Sequence, residues 1–192
     1  ILYEYLERRH FQWPGRGVHS LDRETSGLMM YAKTMEAQRI LEENWHQIVY
    51  DRRYVAVVSG KMEKEGGTIR NWLKDNKAFI TYSSPEDNGG KEAITHYHTL
   101  CTSDNVSLVE MKLETGRKNQ IRVHMKDLGH PIVGDQKYGN GTNYIGRLAL
   151  HAYRLNFYHP ITGDVMEFET PFPKKFVHLF KDYVQENANI NE

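Results

Sequence analysis

At 192 residues the chain fits one domain, or one domain with a small appendage. Its 39% hydrophobic residues, with 3 Trp, 12 Tyr and 7 Phe, supply a sizeable core, and no apolar run approaches the roughly 18 residues of a membrane-spanning helix. Net charge is zero, so composition names no nucleic-acid partner, though a local basic surface remains open; the one cysteine, Cys101, excludes an internal disulfide and suits a reducing, cytoplasmic compartment.

Leu2, Tyr3 and Leu6 share one helical face, which predicts a short helix over residues 1–9. Residues 10–26, with Pro14, Gly15 and Gly17, are expected as a loop ending in "VHSLDRETSG". Gly27 to Lys33 is short and apolar, the pattern of a buried strand. Thr34 is placed to cap a helix carrying Ala37, Ile40, Leu41, Trp45 and Ile48 along one side. The period then changes to two, and strands are predicted over 52–60, 68–73, 77–83, 92–100 and 106–114, joined by polar turns such as "EKEGG" and "PEDNGG".

Residues 119–129 return to helix, with Asn119 as cap, Ile121, Met125 and Leu128 on the core side, and Gly129 as terminator. A hairpin follows, "LALHAYRLNFYH" turning at "PITGD" into "VMEFET". Pro173 opens a last helix bearing Phe176, Phe180 and Val184. Many strands and few helices indicate an α+β domain on a largely antiparallel sheet.

"VHSLDRETSG" (18–27) resembles the H-R-L-D-R-x-T-S-G signature of the RluA-type pseudouridine synthases. "GRKNQIRVHMKDLGHPIVGDQKYG" (116–139) resembles that family's G-R-T-H-Q-I-R-V-H…L-G-H-P-I-x-G-D…Y-G. "RRYVAVVSG" matches a third block around a tyrosine, and "RLALHAYRLNFYHPITGDVMEFETPFP" the terminal one. The likeness runs in one order from about Val18 to Pro173. It implies a bent, mostly antiparallel mixed sheet with flanking helices and a central active-site cleft. Residues 1–192 would be one catalytic domain that enters the pattern late, without the family's first strand and its Lys-Pro motif or any S4 module. The implied reaction is isomerisation of uridine to pseudouridine in ribosomal or transfer RNA, with no metal or other cofactor.

That reaction breaks an N-glycosidic bond, turns the free base and rejoins it through carbon. It needs a carboxylate nucleophile, a cation that keeps the carboxylate ionised and aimed, and a flat surface that retains the base. The resemblance gives these roles to Asp22, Arg122 and Tyr54. Asp22 is expected to be charged at neutral pH, with an ordinary pKa of about 3.9. Arg122, on the side of its helix next to the core face, is expected to hold it through a bidentate fork. Tyr54 is expected to stack on the base or to assist removal of the C5 proton. Outside such a motif the three would be a turn aspartate, a solvated helix arginine and an edge aromatic.

RNA contacts are expected from His19, Ser20, Arg23, Arg117, Lys118 and Lys126, toward a target uridine in a loop or single-stranded element. Two departures from the pattern stand out. Ser20 replaces an arginine that the resemblance links to base flipping, leaving Arg16 or Arg23 to take its part. Lys118-Asn119 replaces Thr-His, a change expected to bear on RNA contact more than on chemistry. A degenerate, non-catalytic RNA-binding relative is the first competing reading. A glycosidic hydrolase is the second, and it lacks a second carboxylate, since Glu24 is expected to point away from Asp22. His96 and His98 share a strand face but find no third ligand at metal-site spacing. The Gly-rich stretch 138–146 lacks the phosphate-loop lysine and is expected as a surface loop.

Overall fold

The computed structural model describes Arg8 and residues 16–180. Of the helix expected over residues 1–9 only Arg8 is described, and the Val184 end of the last helix lies outside the described residues. Within 16–180 the order is β1 (Arg16–Gly17), β2 (Ser26–Gly27), β3 (Tyr31–Ala32), α1 (Met35–Glu43), α2 (Trp45–Ile48), β4 (Val49–Ser59), β5 (Gly66–Asp75) and β6 (Thr81–Ser84). It continues with β7 (Lys91–Thr102), β8 (Val106–Leu113), α3 (Gln120–Asp127), β9 (Leu150–Tyr158), β10 (Val165–Glu169) and α4 (Lys174–Val177).

Seven strands form one ladder in the order β10-β9-β4-β8-β7-β5-β6, antiparallel at every step. β2 joins it parallel to β9, which makes the sheet mixed, while β1 and β3 pair separately. The expected α+β architecture is therefore the one observed. β4 lies between β9 and β8, and its residues from Tyr54 to Ser59 are all buried. A strand covered on both faces loses the alternation of a half-exposed one, which explains the unbroken "YVAVV". Ile121 and Met125 of α3 enter the main core beside Val55, Val57 and Met111. Val123 packs instead with Leu73, Ala93 and Tyr138. Helix α3 is thus wedged between two clusters, and Arg122 emerges between them.

Thr34 caps α1 as expected, its Oγ1 accepting the Ala37 N–H at 3.1 Å. Phe176 and Phe180 are buried in the main core, anchoring the end of the described chain. Three expectations need correction. Gly27 to Lys33 is two short pairings, β2 and β3, rather than one buried strand. Met29 and Tyr31 are 39% and 40% exposed and only Met30 and Ala32 face inward, so the segment is half-buried. The strand expected over 77–83 begins only at Thr81, because the Asn76 side chain accepts the N–H groups of Ala78 and Ile80 and closes a turn. Asn119 precedes α3 but makes no side-chain cap; it sits in the left-handed region at φ 55°.

Candidate active site

The Asp22 loop is fastened by the residues that follow it. The Asp22 carbonyl accepts the Thr25 N–H at 2.9 Å, closing a turn. Ser26 and Gly27 then lie parallel to β9 beside His151 and Ala152, and Ser26 Oγ bonds His151 Nδ1 at 2.7 Å. Gly27 has φ 122°, and a Cβ there would stand 2.1 Å from the Ala152 carbonyl oxygen, so no side chain fits. Tyr54 pairs with the same Ala152 from the β4 side, next to a register shift between Arg53 and Tyr54. Strand β9 therefore fixes the carboxylate and the aromatic ring together, and a bulge is a common device for re-aiming a side chain at a site.

His19 supports this loop. Its Nε2 accepts the Met30 N–H at 2.9 Å, and its ring lies 5.2 Å from that of Trp45. Burial, then the nearby Arg52 charge, lowers its pKa to about 4, which keeps it neutral and able to accept.

Arg122 approaches Asp22 from α3, with Nη1 3.8 Å from Oδ2. The bidentate fork expected for Asp22 is made to a different carboxylate. Arg122 Nε and Nη2 donate to the two oxygens of Asp135, each at 2.8 Å, and Nη1 donates to Asn119 Oδ1 at 3.0 Å. Asp135 is fully buried and also accepts the N–H groups of Lys137 and Tyr138 at 2.9 Å. The Tyr138 ring centroid lies 5.0 Å from the guanidinium carbon. Arg122 is thus locked from behind, and only its outer edge addresses Asp22.

Asn119 completes the frame. Its backbone N–H faces the Asp22 carboxylate, and its side-chain amide donates to Thr81 Oγ1 and Tyr138 Oη, each at 3.2 Å. The left-handed turn, which Asn tolerates better than most residues, aims the backbone while the side chain ties down Arg122. Through Asn119, the Lys118-Asn119 departure reaches the frame around Arg122 as well as the groove wall.

The electrostatics also depart from the simple picture. Burial pushes the Asp22 carboxyl above the usual carboxylate range, more than Arg122 and the Asn119 N–H pull it down; Asp135 adds repulsion. Burial raises Asp135 too, but its hydrogen bonds from Arg122 and the backbone outweigh this and hold it below the ordinary range. The two carboxyls are pushed apart, one held ionised by its donors and one raised by burial. Tyr54 is buried, and burial raises its phenol, so the resting site carries a neutral hydroxyl.

Ser20, Asp22, Arg52, Tyr54, Arg117 and Gln120 line one cleft of about 60 Å³. It shares Gly116 and Arg117 with a larger groove of about 380 Å³ walled by Lys74, Lys91, Lys118, Asp75 and Thr81. Ser20 and Arg23 are exposed on the Asp22 loop. Arg117 is half-buried, donating through Nε to the Glu92 carbonyl at 2.8 Å. Lys118 is exposed and pairs with Asp75 at 2.9 Å, and Lys126 is exposed near the far end of α3. Glu24 lines a different pocket from Asp22, together with Gly134 and Arg147. His96 bonds Thr68 and Glu114, and among the described residues no group of three His, Cys, Asp or Glu could hold a metal ion.

Sequence reasoning missed Asp135 and Arg52. Asp135 had a signal, an acid buried in the apolar run "HPIVGD" where a charge needs a partner. Arg52, two residues before Tyr54, reaches the cleft rim near Ser20, with its Nη2 donating to the Thr115 carbonyl at 3.4 Å.

A family model described as RNA pseudouridylate synthase matches residues 4–127. An uncharacterized RNA pseudouridine synthase of Bacillus subtilis is 38% identical, covering 91% of this chain and 60% of its own length. Ribosomal large subunit pseudouridine synthase D of Haemophilus influenzae is 37% identical, covering 91% of this chain and 59% of its own length. The chain thus spans about three fifths of the curated relatives it matches. Among solved structures, human RNA pseudouridylate synthase domain containing 1 superposes with a TM-score of 0.74 at 28% identity, covering 89% of this chain and 74% of that one.

Proposed function

The chain belongs to the RNA pseudouridylate synthase family, and from that premise we propose that it isomerises uridine to pseudouridine in ribosomal or transfer RNA, with Asp22 as nucleophile. The observation that carries this reading is the half-buried Asp22 carboxylate facing a guanidinium that Asp135 holds in place, beside the Tyr54 ring. Such a carboxylate is poorly solvated and therefore reactive, yet it is aimed by donors that need not reorganise during the reaction. It would attack the ribose or the uracil as the bond from C1′ to N1 breaks. The base turns against Tyr54, C1′ bonds to C5, the bond to Asp22 breaks and returns its electron pair to the carboxylate, the C5 proton leaves and N1 regains one. Nothing is oxidised and no water is consumed.

Ser20, Arg23, Arg117, Lys118 and Lys126 belong to the proposed RNA-facing set, and Arg52 joins them at the cleft rim, where Ser20 leaves room for a cation. His19 is assigned to positioning the Asp22 loop, since its Nε2 is engaged by the backbone of Met30. Residues 1–192 would act as one catalytic domain. No helix among the described residues is long and apolar enough to cross a membrane, and a cytoplasmic site of action belongs to this proposal.

The test is tritium release from [5-³H]uridine RNA by the full chain and by Asp22→Ala. The wild type is expected to release tritium, and the variant at least about a thousandfold more slowly, on the order of 4 kcal/mol in the barrier. Equal release by both proteins would remove Asp22 from the chemistry. Free uracil among the products would replace isomerisation with hydrolysis.

A further inference from the structure

Among the described residues only two besides glycine hold positive φ, Asn119 and Phe79. The Asp22 site accounts for Asn119. Phe79, at φ 57°, is a bulky aromatic in a conformation that such side chains rarely adopt. It is also the most exposed large hydrophobic side chain among the described residues, at 73%. The turn is built to hold it there. The Phe79 N–H donates to the Asn76 carbonyl at 3.0 Å, the Asn76 N–H donates to the Ile80 carbonyl at 2.9 Å, and Lys137 Nζ donates to the Phe79 carbonyl at 2.7 Å. A ring held outward against its backbone preference and 73% exposed is a feature that calls for a ligand.

The surroundings indicate which one. Lys118 Nζ lies 5.9 Å from the Phe79 ring centroid and is anchored by Asp75, which also accepts from Thr81 Oγ1 at 2.6 Å. Lys118, Asp75 and Thr81 wall the groove that runs by way of Arg117 into the Asp22 cleft. An exposed aromatic face flanked by lysines, one of which, Lys118, walls a groove that leads to the Asp22 carboxylate, matches how single-stranded nucleic acid is held: bases stack on the ring and cations meet the phosphates.

We propose that Phe79, with Lys118 and Lys137, forms a second RNA subsite in which an unpaired base beside the target uridine stacks on the Phe79 ring. The subsite rests on the RNA-modifying reading and deepens it, because it holds the strand on one side of the flipped nucleotide. The contact is tolerant of base identity, since every base has a π-face, so it contributes grip rather than sequence choice.

The experiment measures binding by fluorescence anisotropy at fixed salt, using a labelled oligouridylate and a stem-loop RNA with uridine in its loop. The full chain is compared with Phe79→Gly, Phe79→Leu and Phe79→Trp, each also melted. Stacking on one aromatic is worth roughly fivefold to a hundredfold in affinity, so Phe79→Gly is expected to raise Kd at least fivefold. Its melting temperature should hold or rise, because glycine accepts positive φ without strain. Phe79→Trp should bind within about twofold of wild type, and Phe79→Leu should resemble Phe79→Gly. A merely structural ring would not separate binding from stability in this way. Phe79→Gly binding like wild type, Phe79→Leu binding like Phe79→Trp, or a wild-type chain that ignores both RNAs would each overturn the subsite. Tritium release by the wild type is measured alongside, so failure of the catalytic reading would appear there with the Phe79 binding series unaffected.

Discussion

Replacing Asp135 by Asn tests whether Arg122 owes its position to a carboxylate that no substrate touches. Asp135 Oδ1 accepts from Arg122 Nη2, Lys137 N and Tyr138 N, while Oδ2 accepts only from Arg122 Nε. An amide would keep its oxygen on the three-donor side and turn its NH₂ toward Nε, donor against donor. The Arg122 and Asp135 side chains are 11% and 0% exposed, so water cannot repair the loss. Breaking a buried pair of this kind costs about 3–5 kcal/mol. For a chain of this size, with about 2–4 °C per kcal/mol, the melting temperature should fall by about 6–20 °C. The pH–rate profile provides a second, independent readout. Arg122 attraction lowers the Asp22 carboxyl more than Asp135 repulsion raises it, so a variant that loses the Arg122 placement should move the acid limb of turnover to higher pH even as the fold weakens. Thermal melts and tritium release measured from pH 4.5 to 8, at a temperature where both proteins are folded, check both effects. A melting shift under 2 °C, or an acid limb that moves downward, would refute the reasoning.

Gly27→Ala forces an L side chain to φ 122° with its Cβ at the Ala152 carbonyl, which should cost at least about 1–3 kcal/mol. Activity in the fully folded variant should fall as well, because β2 can no longer dock the Asp22 loop on β9; unchanged turnover would show that the loop does not depend on this contact. Arg52→Ala should raise KM for RNA about tenfold and reduce its salt dependence, with kcat at saturating RNA largely kept; a loss confined to kcat would place Arg52 in the chemistry instead. His124 is buried between Thr95 and Asn71, and burial lowers its pKa from 6.5 to about 4. In that window the unfolded chain binds the extra proton, so stability should fall as pH drops from about 6.5 toward 4, by about 3 kcal/mol from this residue. Denaturant midpoints at pH 7 and 4.5 measure the slope, which His124→Asn should reduce by about half, His19 acting in the same window.

What could be read from the residues divides along a physical line. The strands announced themselves because period-two patterning and polar turns are local properties, and so did α1, whose cap and apolar face lie within one window. The Gly27–Lys33 segment misled because apolar content does not reveal which side chains face inward: Met29 and Tyr31 stay exposed while the intervening residues supply the core. The turn at Phe79 was hidden because Asn76 closes it through a side-chain bond that competes with strand pairing in a stretch whose composition suits either.

The site shows the same division more sharply. Asp22, Tyr54 and Arg122 were legible through motif resemblance, but the force holding them was not. Asp135 lies 13 positions from Arg122 on a different segment, and no periodicity connects them. The choice of bidentate partner follows from burial: a guanidinium satisfied by a solvent-free carboxylate loses little by leaving its third nitrogen for Asp22, whereas the reverse pairing would leave Asp135 charged and alone in the core. Asp22 thereby gains a fixed positive edge at 3.8 Å without a short ion pair to it, an arrangement that suits the nucleophilic role proposed for it. If Arg122→Lys, which keeps the charge but cannot fork, retained the full turnover rate, fixed placement would be unnecessary and charge alone would suffice. We expect instead at least about a tenfold loss in kcat, together with a lower melting temperature, since an ammonium cannot fill both Asp135 oxygens and still reach Asp22.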